Sequence, residues 1–279
     1  MKTASRNDIV DPRVSDAETK RSSNNQFWMK DVEKKRAPIS YVARTVVKRA
    51  LGRMGFEIRR ANALQTAPIG DMRSTLVGLR DRGLTPTTVL DVGANRGDWT
   101  KLARDIFPAA TYVMLEPQIE MAPYLDTLGE PWHGVAAGSE NGTLELTIWP
   151  DLVGSSFLKP DGADYPTRPV EIVTINHLIA RENYAIPDLV KLDIQGFELE
   201  ALRGATHLFG VTEAFIVEVS LFSFGGHPIL REVVDFMGER GYETYDIAGA
   251  LRRPSDGALG NLDLCFARTG GALRQSNSW

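Results

Sequence analysis

The chain has 279 residues, of which 43% are hydrophobic and 24% charged, a composition that allows one sizeable buried core and an extension. Its net charge of −4 is uneven, because residues 1–66 carry 15 basic and 7 acidic residues whereas residues 67–279 carry 17 and 29. The acidic body argues against a nucleic-acid-binding protein, and the absence of a long apolar run argues against a transmembrane segment.

The basic N-terminal region is predicted to consist of two parts. Residues 1–36 are polar and poor in branched apolar residues, which is typical of a disordered arm. Residues 37–82 are predicted to form a helical extension. Within it, a helix over residues 38–54 would have small apolar residues on one face and basic residues on the other. We expect this helix to pack on the main domain or on a second subunit. The alternative is peripheral contact with an anionic membrane.

The main domain, residues 83–279, alternates strands and helices, which predicts an α/β fold. The predicted strands are Val89–Val92, Thr111–Leu115, Trp132–Ala137, Thr143–Trp149, Val170–Thr174, Leu189–Asp193, Ala214–Val219, Tyr242–Asp246 and Asp263–Arg268. The predicted helices are Ala67–Arg82, Gly97–Phe107, Ile119–Leu128, Thr174–Ala180, Phe197–Phe209 and Ile229–Arg240.

Three connections complete this prediction. Asn141 and Gly142 indicate a hairpin between short strands, and residues 152–169, rich in Gly and Pro, indicate a long surface loop. The last strand follows its predecessor through a turn that contains Gly and Pro rather than through a helix. A strand without a crossover helix must pair antiparallel, so we expect a mixed sheet with a reversed last strand.

The turn after the first strand is the predicted cofactor site. A strand, a glycine turn at Gly93 and a helix that begins near Gly97 present backbone N–H groups and a positive helix end to a ligand. The turn lacks the middle glycine that a dinucleotide needs, and Asp91 would repel a pyrophosphate. A carboxylate suits a sulfonium ion, which favours S-adenosylmethionine over NAD. Glu116, at the end of the next strand, can accept hydrogen bonds from ribose hydroxyls.

Several segments resemble the FkbM-type S-adenosylmethionine-dependent methyltransferase family. The resemblance runs from about residue 87 to residue 268. The matching segments are residues 91–100 (DVGANRGDWT), 115–117 (LEP), 155–158 (SSFL), 191–198 (KLDIQGFE), Glu218 after its apolar strand, and 263–266 (DLCF).

The resemblance implies a class I, Rossmann-like methyltransferase fold of seven strands with the last one reversed, over residues 83–279. It also implies methyl transfer to a hydroxyl of a sugar, a glycan, a glycolipid or a related natural product. The positions that it assigns to the methionine end of the cofactor are Asp91, Gly93, Ala94, Asn95 and Gly97. The positions that it assigns elsewhere are Glu116 and Pro117 at the ribose, Val135 and Ala136 near the adenine, and Lys191, Asp193 and Glu198 at the reaction centre.

Methyl transfer to an alcohol needs a general base, because the hydroxyl must lose its proton as the new bond forms. The candidates are Asp193, Glu218 and His227, with Asp193 first; the alternative is that Asp193 only binds the amino group of the cofactor. Lys191 is expected to pair with a carboxylate or to orient the acceptor. Gln195 departs from the Glu that is more common in the family, which argues against a base at that position.

Two other expectations concern the class of the protein. The His, Cys and acidic residues show no spacing typical of a metal site, so no metal is predicted. The single Cys265 cannot form an internal disulfide, and the residues after Met1 lack the apolar core of a signal peptide, which together predict a cytoplasmic protein. The competing hypotheses are an NAD(P)-dependent oxidoreductase and a non-catalytic cofactor-binding assembly partner.

Overall fold

A computed structural model describes residues 68–149, 157, 165–223 and 226–276. The predicted arm, residues 1–36, and the predicted basic helix, residues 38–54, lie outside these ranges, so the division of the chain into domains stays a prediction. Within the described ranges, no helix combines the length and the apolar character needed to cross a membrane.

Six α-helices are described, and they connect the strands in the predicted order. They are α1 (Met72–Asp81), α2 (Asp98–Ile106), α3 (Ala122–Leu125), α4 (Ile175–Glu182), α5 (Glu198–Arg203) and α6 (Leu230–Gly238). Short 3₁₀ turns cover Ile119–Met121, Asp126–Leu128, Thr206–Leu208 and Ala272–Arg274.

Seven strands form the central sheet and three form a smaller one. The strands are β1 (Thr88–Val92), β2 (Thr111–Leu115), β3 (Trp132–His133), β4 (Ala136–Ala137), β5 (Gly142–Thr147), β6 (Thr167–Val173), β7 (Leu189–Leu192), β8 (Ala214–Ser220), β9 (Tyr242–Arg252) and β10 (Leu259–Arg268). The central sheet has the order β3-β2-β1-β7-β8-β10-β9. Strand β10 is antiparallel to both β8 and β9, which confirms the predicted mixed sheet with a reversed last strand.

The core lies on both faces of the central sheet, as the apolar composition of its parallel strands requires. Every residue of β1 is buried. On one face Leu90 and Val92 join the apolar side chains that pack beneath α4, α5 and α6. On the other face Val89 packs with Leu76 and Leu79 of α1 and with the first turn of α2. Strand β1 is therefore covered on both sides and fixed in the middle of the domain.

The prediction of a single strand over Trp132–Ala137 is wrong. It forms two short strands in different sheets, since β3 pairs with β2 whereas β4 pairs with β6. The predicted hairpin at Asn141 and Gly142 is also wrong, because β4 and β5 lie on opposite sides of β6. The side chain of Asn141 instead accepts a hydrogen bond from the backbone N–H of Thr174 at 2.8 Å, which ties this turn to the end of β6.

Several element boundaries also differ from the prediction. The predicted helix Ile119–Leu128 is replaced by the short helix α3 with a 3₁₀ turn on each side, and Pro123 provides no N–H for a continuous helix. The predicted helix Phe197–Phe209 ends at Arg203, since Gly204 lies against the backbone of Gly138, where a Cβ would be 2.0 Å from the carbonyl oxygen. Strands β6, β9 and β10 are longer than predicted because hydrogen bonding between neighbours extends them beyond their apolar residues.

Gly93 sets how closely the turns after β1 and β7 approach each other. Its φ is 82°, and a Cβ at this position would lie 2.0 Å from the carbonyl oxygen of Asp193. Both the backbone conformation and the contact therefore require glycine. This is a structural reason for the residue that the sequence assigned to a cofactor turn.

We predict that Gly93→Ala lowers the free energy of unfolding by more than about 3 kcal/mol, because it adds a steric overlap to the cost of a left-handed alanine. Gly210→Ala is the matched control, since Gly210 has a φ of 81° and open space around its Cβ position. The control is expected to lose only about 1–2 kcal/mol. Chemical denaturation measures both values, and equal losses in the two variants would contradict the close approach.

Candidate active site

A cavity of about 280 Å³ opens at the carboxyl ends of the central strands. Strand order reverses at β1, whose neighbours are β2 and β7, and open α/β sheets bind ligands at such a point. The residues that line the cavity are Val92, Gly93, Asn95, Leu115, Glu116, Pro117, Gln118, Val135, Ala136, Ala137, Leu146, Phe157, Asp193, Ile194, Gln195, Glu218, Leu251 and Asn261.

Glu116 is held rigidly at one wall of this cavity. Its carboxylate accepts hydrogen bonds from the backbone N–H groups of Asn95, at 2.8 Å, and Gln118, at 2.9 Å. The residue is only 3% exposed, and this burial raises the pKa of Glu116 above its ordinary value. These two backbone donors from different turns, together with a hydrogen bond from the side chain of Gln118, therefore fix the orientation of the carboxylate.

The wall beside Glu116 is apolar. Leu115, Val135 and Ala136 are buried residues of or next to β2, β3 and β4. Leu146 of β5 adds a second buried aliphatic side chain, so the small three-stranded sheet forms this side of the cavity. Phe157 closes the same side, with its ring centroid 5.1 Å from that of Phe197. Such a slot suits a flat aromatic group.

Two carboxyl groups stand at the opposite wall, after β7 and on β8. Asp193 accepts a hydrogen bond from the ammonium group of Lys191 at 3.0 Å. Burial opposes the ionised form of Asp193, yet the charge and the hydrogen bond of Lys191 lower its pKa below the ordinary value. For Glu218, burial and then the charge of Asp193 raise the pKa well above the ordinary value. Lys191 thus favours the ionised form of Asp193, whereas burial and the charge of Asp193 favour the protonated form of Glu218.

Amide side chains connect these two acids. Nε2 of Gln195 lies 2.9 Å from Oδ1 of Asp193 and 3.1 Å from Oε2 of Glu218. Nδ2 of Asn261, on the reversed strand β10, donates to Oε1 of Glu218 at 2.9 Å. The wall is therefore a hydrogen-bonded unit built from β7, β8 and β10.

Lys191 is buried beneath this wall and does not line the cavity. Its side chain is 8% exposed, and its ammonium group lies 6.0 Å from the ring centroid of Trp99. Burial would lower the pKa of Lys191, but the charges of Asp193 and Asp91 raise it above the ordinary value. The predicted pairing of Lys191 with a carboxylate is present, and Asp193 is the partner.

The other predicted site residues divide into two groups. Most cofactor positions, from Gly93 and Asn95 to Glu116, Pro117, Val135 and Ala136, line the cavity together with Asp193 and Glu218. Besides Lys191, five predicted residues do not line it: Asp91, Ala94, Gly97, Glu198 and His227.

Asp91, Ala94 and Gly97 belong to the segment around the turn after β1, but their contacts lie outside the cavity. Asp91 is completely buried and accepts a hydrogen bond from the hydroxyl of Thr100 at 2.7 Å, and its burial raises its pKa. Ala94 packs in an apolar cluster behind the turn, and a Cβ on Gly97 would lie 2.4 Å from the side chain of Leu128.

His227 and Glu198 both contact the turn after β7. A Cβ on Gly196 would lie 2.6 Å from the ring of His227, so the ring packs on this backbone, and burial lowers the pKa of His227. Glu198 accepts hydrogen bonds from the backbone N–H groups of Ile194 and Gly196. Burial raises the pKa of Glu198 to about 7.

Some cavity residues were missed from the sequence. Asn261 lies two residues before Asp263 in the same strand. Because side chains alternate between the two faces of a sheet, the sequence could have placed both residues on one face. Leu251 lies beyond the predicted end of its strand, and no local signal points to it. Within the described residues, no group of three or more His, Cys, Asp or Glu side chains is arranged to hold a metal ion.

We predict that Lys191→Met lowers the free energy of unfolding by about 3 kcal/mol, because buried carboxylates lose their cation. Without this cation the folded-state pKa values of Asp91 and Asp193 rise, so the loss should grow between pH 5.5 and pH 8. Lys101→Met is the control, since Lys101 pairs with Asp98 at a similar distance of 2.9 Å on the exposed surface.

Urea unfolding at both pH values measures this difference. The control is expected to lose less than about 1 kcal/mol and to show no added loss at the higher pH. A Lys191 variant that behaves like the Lys101 variant would show that the buried pair adds nothing to stability.

Residues 91–244, just over half of the chain, match the profile of the Methyltransferase FkbM domain. No curated protein matches the chain. A solved methyltransferase FkbM from Methylobacillus flagellatus KT is 17% identical, with a TM-score of 0.46; the alignment covers 72% of this chain and 48% of that one. The chain thus spans about half the length of that protein.

Two further solved structures are similar at low identity. The O-methyltransferase TomG from Streptomyces achromogenes is 12% identical over 90% of this chain and 99% of that one, with a TM-score of 0.42. A 1,6-didemethyltoxoflavin-N1-methyltransferase from Burkholderia thailandensis is 13% identical over 84% and 93%, with a TM-score of 0.38. The sheet order and the profile match confirm the predicted class I fold. The chain belongs to the FkbM methyltransferase family.

Proposed function

We propose that the protein is an O-methyltransferase that transfers a methyl group from S-adenosylmethionine, the cofactor of its family, to a hydroxyl group. The observation that carries the proposal is one cavity with a fixed carboxylate and an apolar slot on one side and two carboxyl groups on the other. The first wall suits a nucleoside, and the second suits an acceptor that must lose a proton. An oxidoreductase is not favoured, since the chain belongs to a methyltransferase family and its turn lacks the middle glycine that a dinucleotide needs.

The residues present fit the cofactor in their donor and acceptor chemistry. Glu116 offers carboxylate oxygens as acceptors for the ribose hydroxyls, and the slot formed by Val135, Ala136 and Leu146 is apolar enough for an adenine ring. The turn at Gly93 and Asn95 and the ionised Asp193 would face the cationic methionine end. The bound cofactor supplies an electrophilic methyl group.

The chain's own residues then account for positioning and for the proton. A hydroxyl that enters between the cofactor turn and β8 meets Asp193 and Glu218. We propose Asp193 as the first acceptor of the hydroxyl proton, because Lys191 keeps this carboxylate ionised at neutral pH. Positioning supplies much of the rate in such a transfer.

We predict that calorimetry detects binding of S-adenosylmethionine and that Glu116→Gln weakens it about 10-fold or more, since a charge-assisted hydrogen bond is lost. Glu120→Gln is the matched control. Glu120 lies four residues away and pairs with Arg168 outside the cavity. Its variant should keep the wild-type affinity. A folded wild-type protein that does not bind the cofactor would contradict the proposed function.

The open end of the cavity favours an acceptor with an apolar part. Leu251, at the end of β9, lines the cavity although 63% of it is exposed. Phe222, which is 42% exposed, follows β8, and the guanidinium of Arg253 lies 4.1 Å from its ring centroid. Exposed apolar side chains around a cavity mark a binding surface. Among sugars, glycans, glycolipids and natural products, we therefore propose acceptors that carry a hydrocarbon or aromatic group.

We predict that the rate of labelled-methyl transfer to a glycoside with a long alkyl chain exceeds the rate for the methyl glycoside of the same sugar. Leu251→Ser should reduce this preference about 10-fold, because one buried aliphatic contact contributes about 1–3 kcal/mol. Leu144→Ser is a control, since Leu144 is similarly exposed on β5 outside the cavity. Equal transfer to both glycosides, with Leu251→Ser unchanged, would contradict an apolar acceptor site.

A further inference from the structure

We call the side of the cavity that holds Asp193 and Glu218 the acceptor wall. Its two acids accept hydrogen bonds from different kinds of donor. Asp193 receives an ammonium group from Lys191 and an amide from Gln195. Glu218 receives two amides, from Gln195 and Asn261, and no cation. Both carboxyl groups contact the same nitrogen atom, Nε2 of Gln195, so they are close neighbours inside the cavity wall.

Few cations are available to neutralise this region. The ionisable groups that face Glu218 from neighbouring elements are Asp193 of the β7 turn, Glu198 of α5 and Asp263 of β10, all of them acidic. Lys191 lies between Asp91, Asp193 and Asp263 and pairs directly with Asp193. Like charges at such short range cannot all ionise, so one of two adjacent carboxyl groups keeps a proton.

We propose that Asp193 and Glu218 act as one carboxylate pair that carries a single proton, held on Glu218, and that Gln195 is the positioning residue that keeps the pair together. The amide can donate to both acids at once, whereas a carboxylate at this position would add a like charge instead. Gln195 adopts a left-handed backbone with a φ of 54°, an unfavourable conformation for a side chain other than Gly or Asn. Its two hydrogen bonds offset this cost.

The pair gives the proposed reaction a balanced proton step; this part of the inference rests on the proposed function. The acceptor O–H bond breaks as the new O–CH₃ bond forms, and the proton moves to the ionised Asp193. The pair then holds two protons and no net charge, and one proton returns to solvent when the product leaves. The protonated Glu218 stays beside Asp193 and keeps its own proton throughout.

The first test measures the thermal unfolding midpoint of Glu218→Gln between pH 5.5 and pH 8.5. Glu218 has a higher pKa in the folded state, so it lowers wild-type stability as pH rises above the unfolded-state pKa. The amide of the variant mimics the protonated acid and has no such dependence. We expect the unfolding midpoint of the variant, relative to that of the wild type, to rise by at least about 3 °C between pH 5.5 and pH 8.5.

Asp193→Asn is the matched variant on the neighbouring strand. Because Asp193 is ionised and paired with Lys191, its amide variant should be less stable than the wild type already at pH 5.5. Removal of this charge also lowers the pKa of Glu218, so Asp193→Asn should recover part of its loss toward pH 8.5 but stay less stable than Glu218→Gln. An Asp193→Asn variant as stable as the wild type at pH 5.5, or a constant difference for Glu218→Gln, would overturn the assignment of the proton. This test needs no cofactor or acceptor, so it stands even if the proposed function fails.

The second test isolates the amide of Gln195. Gln195→Gly accepts the left-handed backbone but removes both hydrogen bonds, which leaves the ionised acids less well stabilised. Its unfolding midpoint should fall more steeply with pH than that of the wild type. Asn183→Gly is the control, because Asn183 has a φ of 55° at the end of α4, outside the cavity. Parallel pH curves for wild type and Gln195→Gly would overturn the role of Gln195.

A kinetic readout separates positioning from general stability. Without the amide donor the pKa of Asp193 rises. The pH at which kcat falls on the acid side should therefore be about one unit higher in Gln195→Gly than in the wild type. The affinity for S-adenosylmethionine, measured by calorimetry, should change less than about 3-fold, since Glu116 and the apolar slot are untouched. An unmoved acid limb, or a loss confined to cofactor affinity, would contradict the positioning role.

Discussion

The close approach of the turns after β1 and β7 is the constraint on which the site depends. Only a glycine fits at Gly93, where the carbonyl of Asp193 occupies the space of a side chain. The approach follows from strand order, since β1 and β7 are parallel neighbours and their turns leave the sheet at the same edge. It brings the wall that holds Glu116 and the wall that holds Asp193 and Glu218 within one cavity, so any movement between these strands would separate the two walls.

The location of the site could be predicted from the sequence to a large extent. Glu116 follows an apolar strand, and Asp193 follows another, so their meeting at one edge of a parallel sheet needed no long-range information. The reversed last strand was also predictable, because no helix precedes it. These inferences depend on residues close together in the chain, where the physical rules are strongest.

The parts that could not be predicted depend on contacts between distant segments. Asn261 belongs to the site only through the register of β10 against β8, where it lies opposite Ser220. The split of Trp132–Ala137 between two sheets depends on the pairing of β4 with β6, far along the chain. The burial of Asp91 behind the cavity depends on α2, which covers it and supplies Thr100 as its partner. Local patterns carry none of this information.

The position of β10 has a consequence for biosynthesis. This strand, Leu259–Arg268, is the last of the described strands, yet it lies between β8 and β9 rather than at the edge of the sheet. Asn261 reaches Glu218 only when β10 has entered that gap. A nascent chain that has already formed the turn at Gly93 therefore lacks the contact of Asn261 with Glu218 until β10 has also left the ribosome. Complete assembly of the site thus coincides with closure of the sheet.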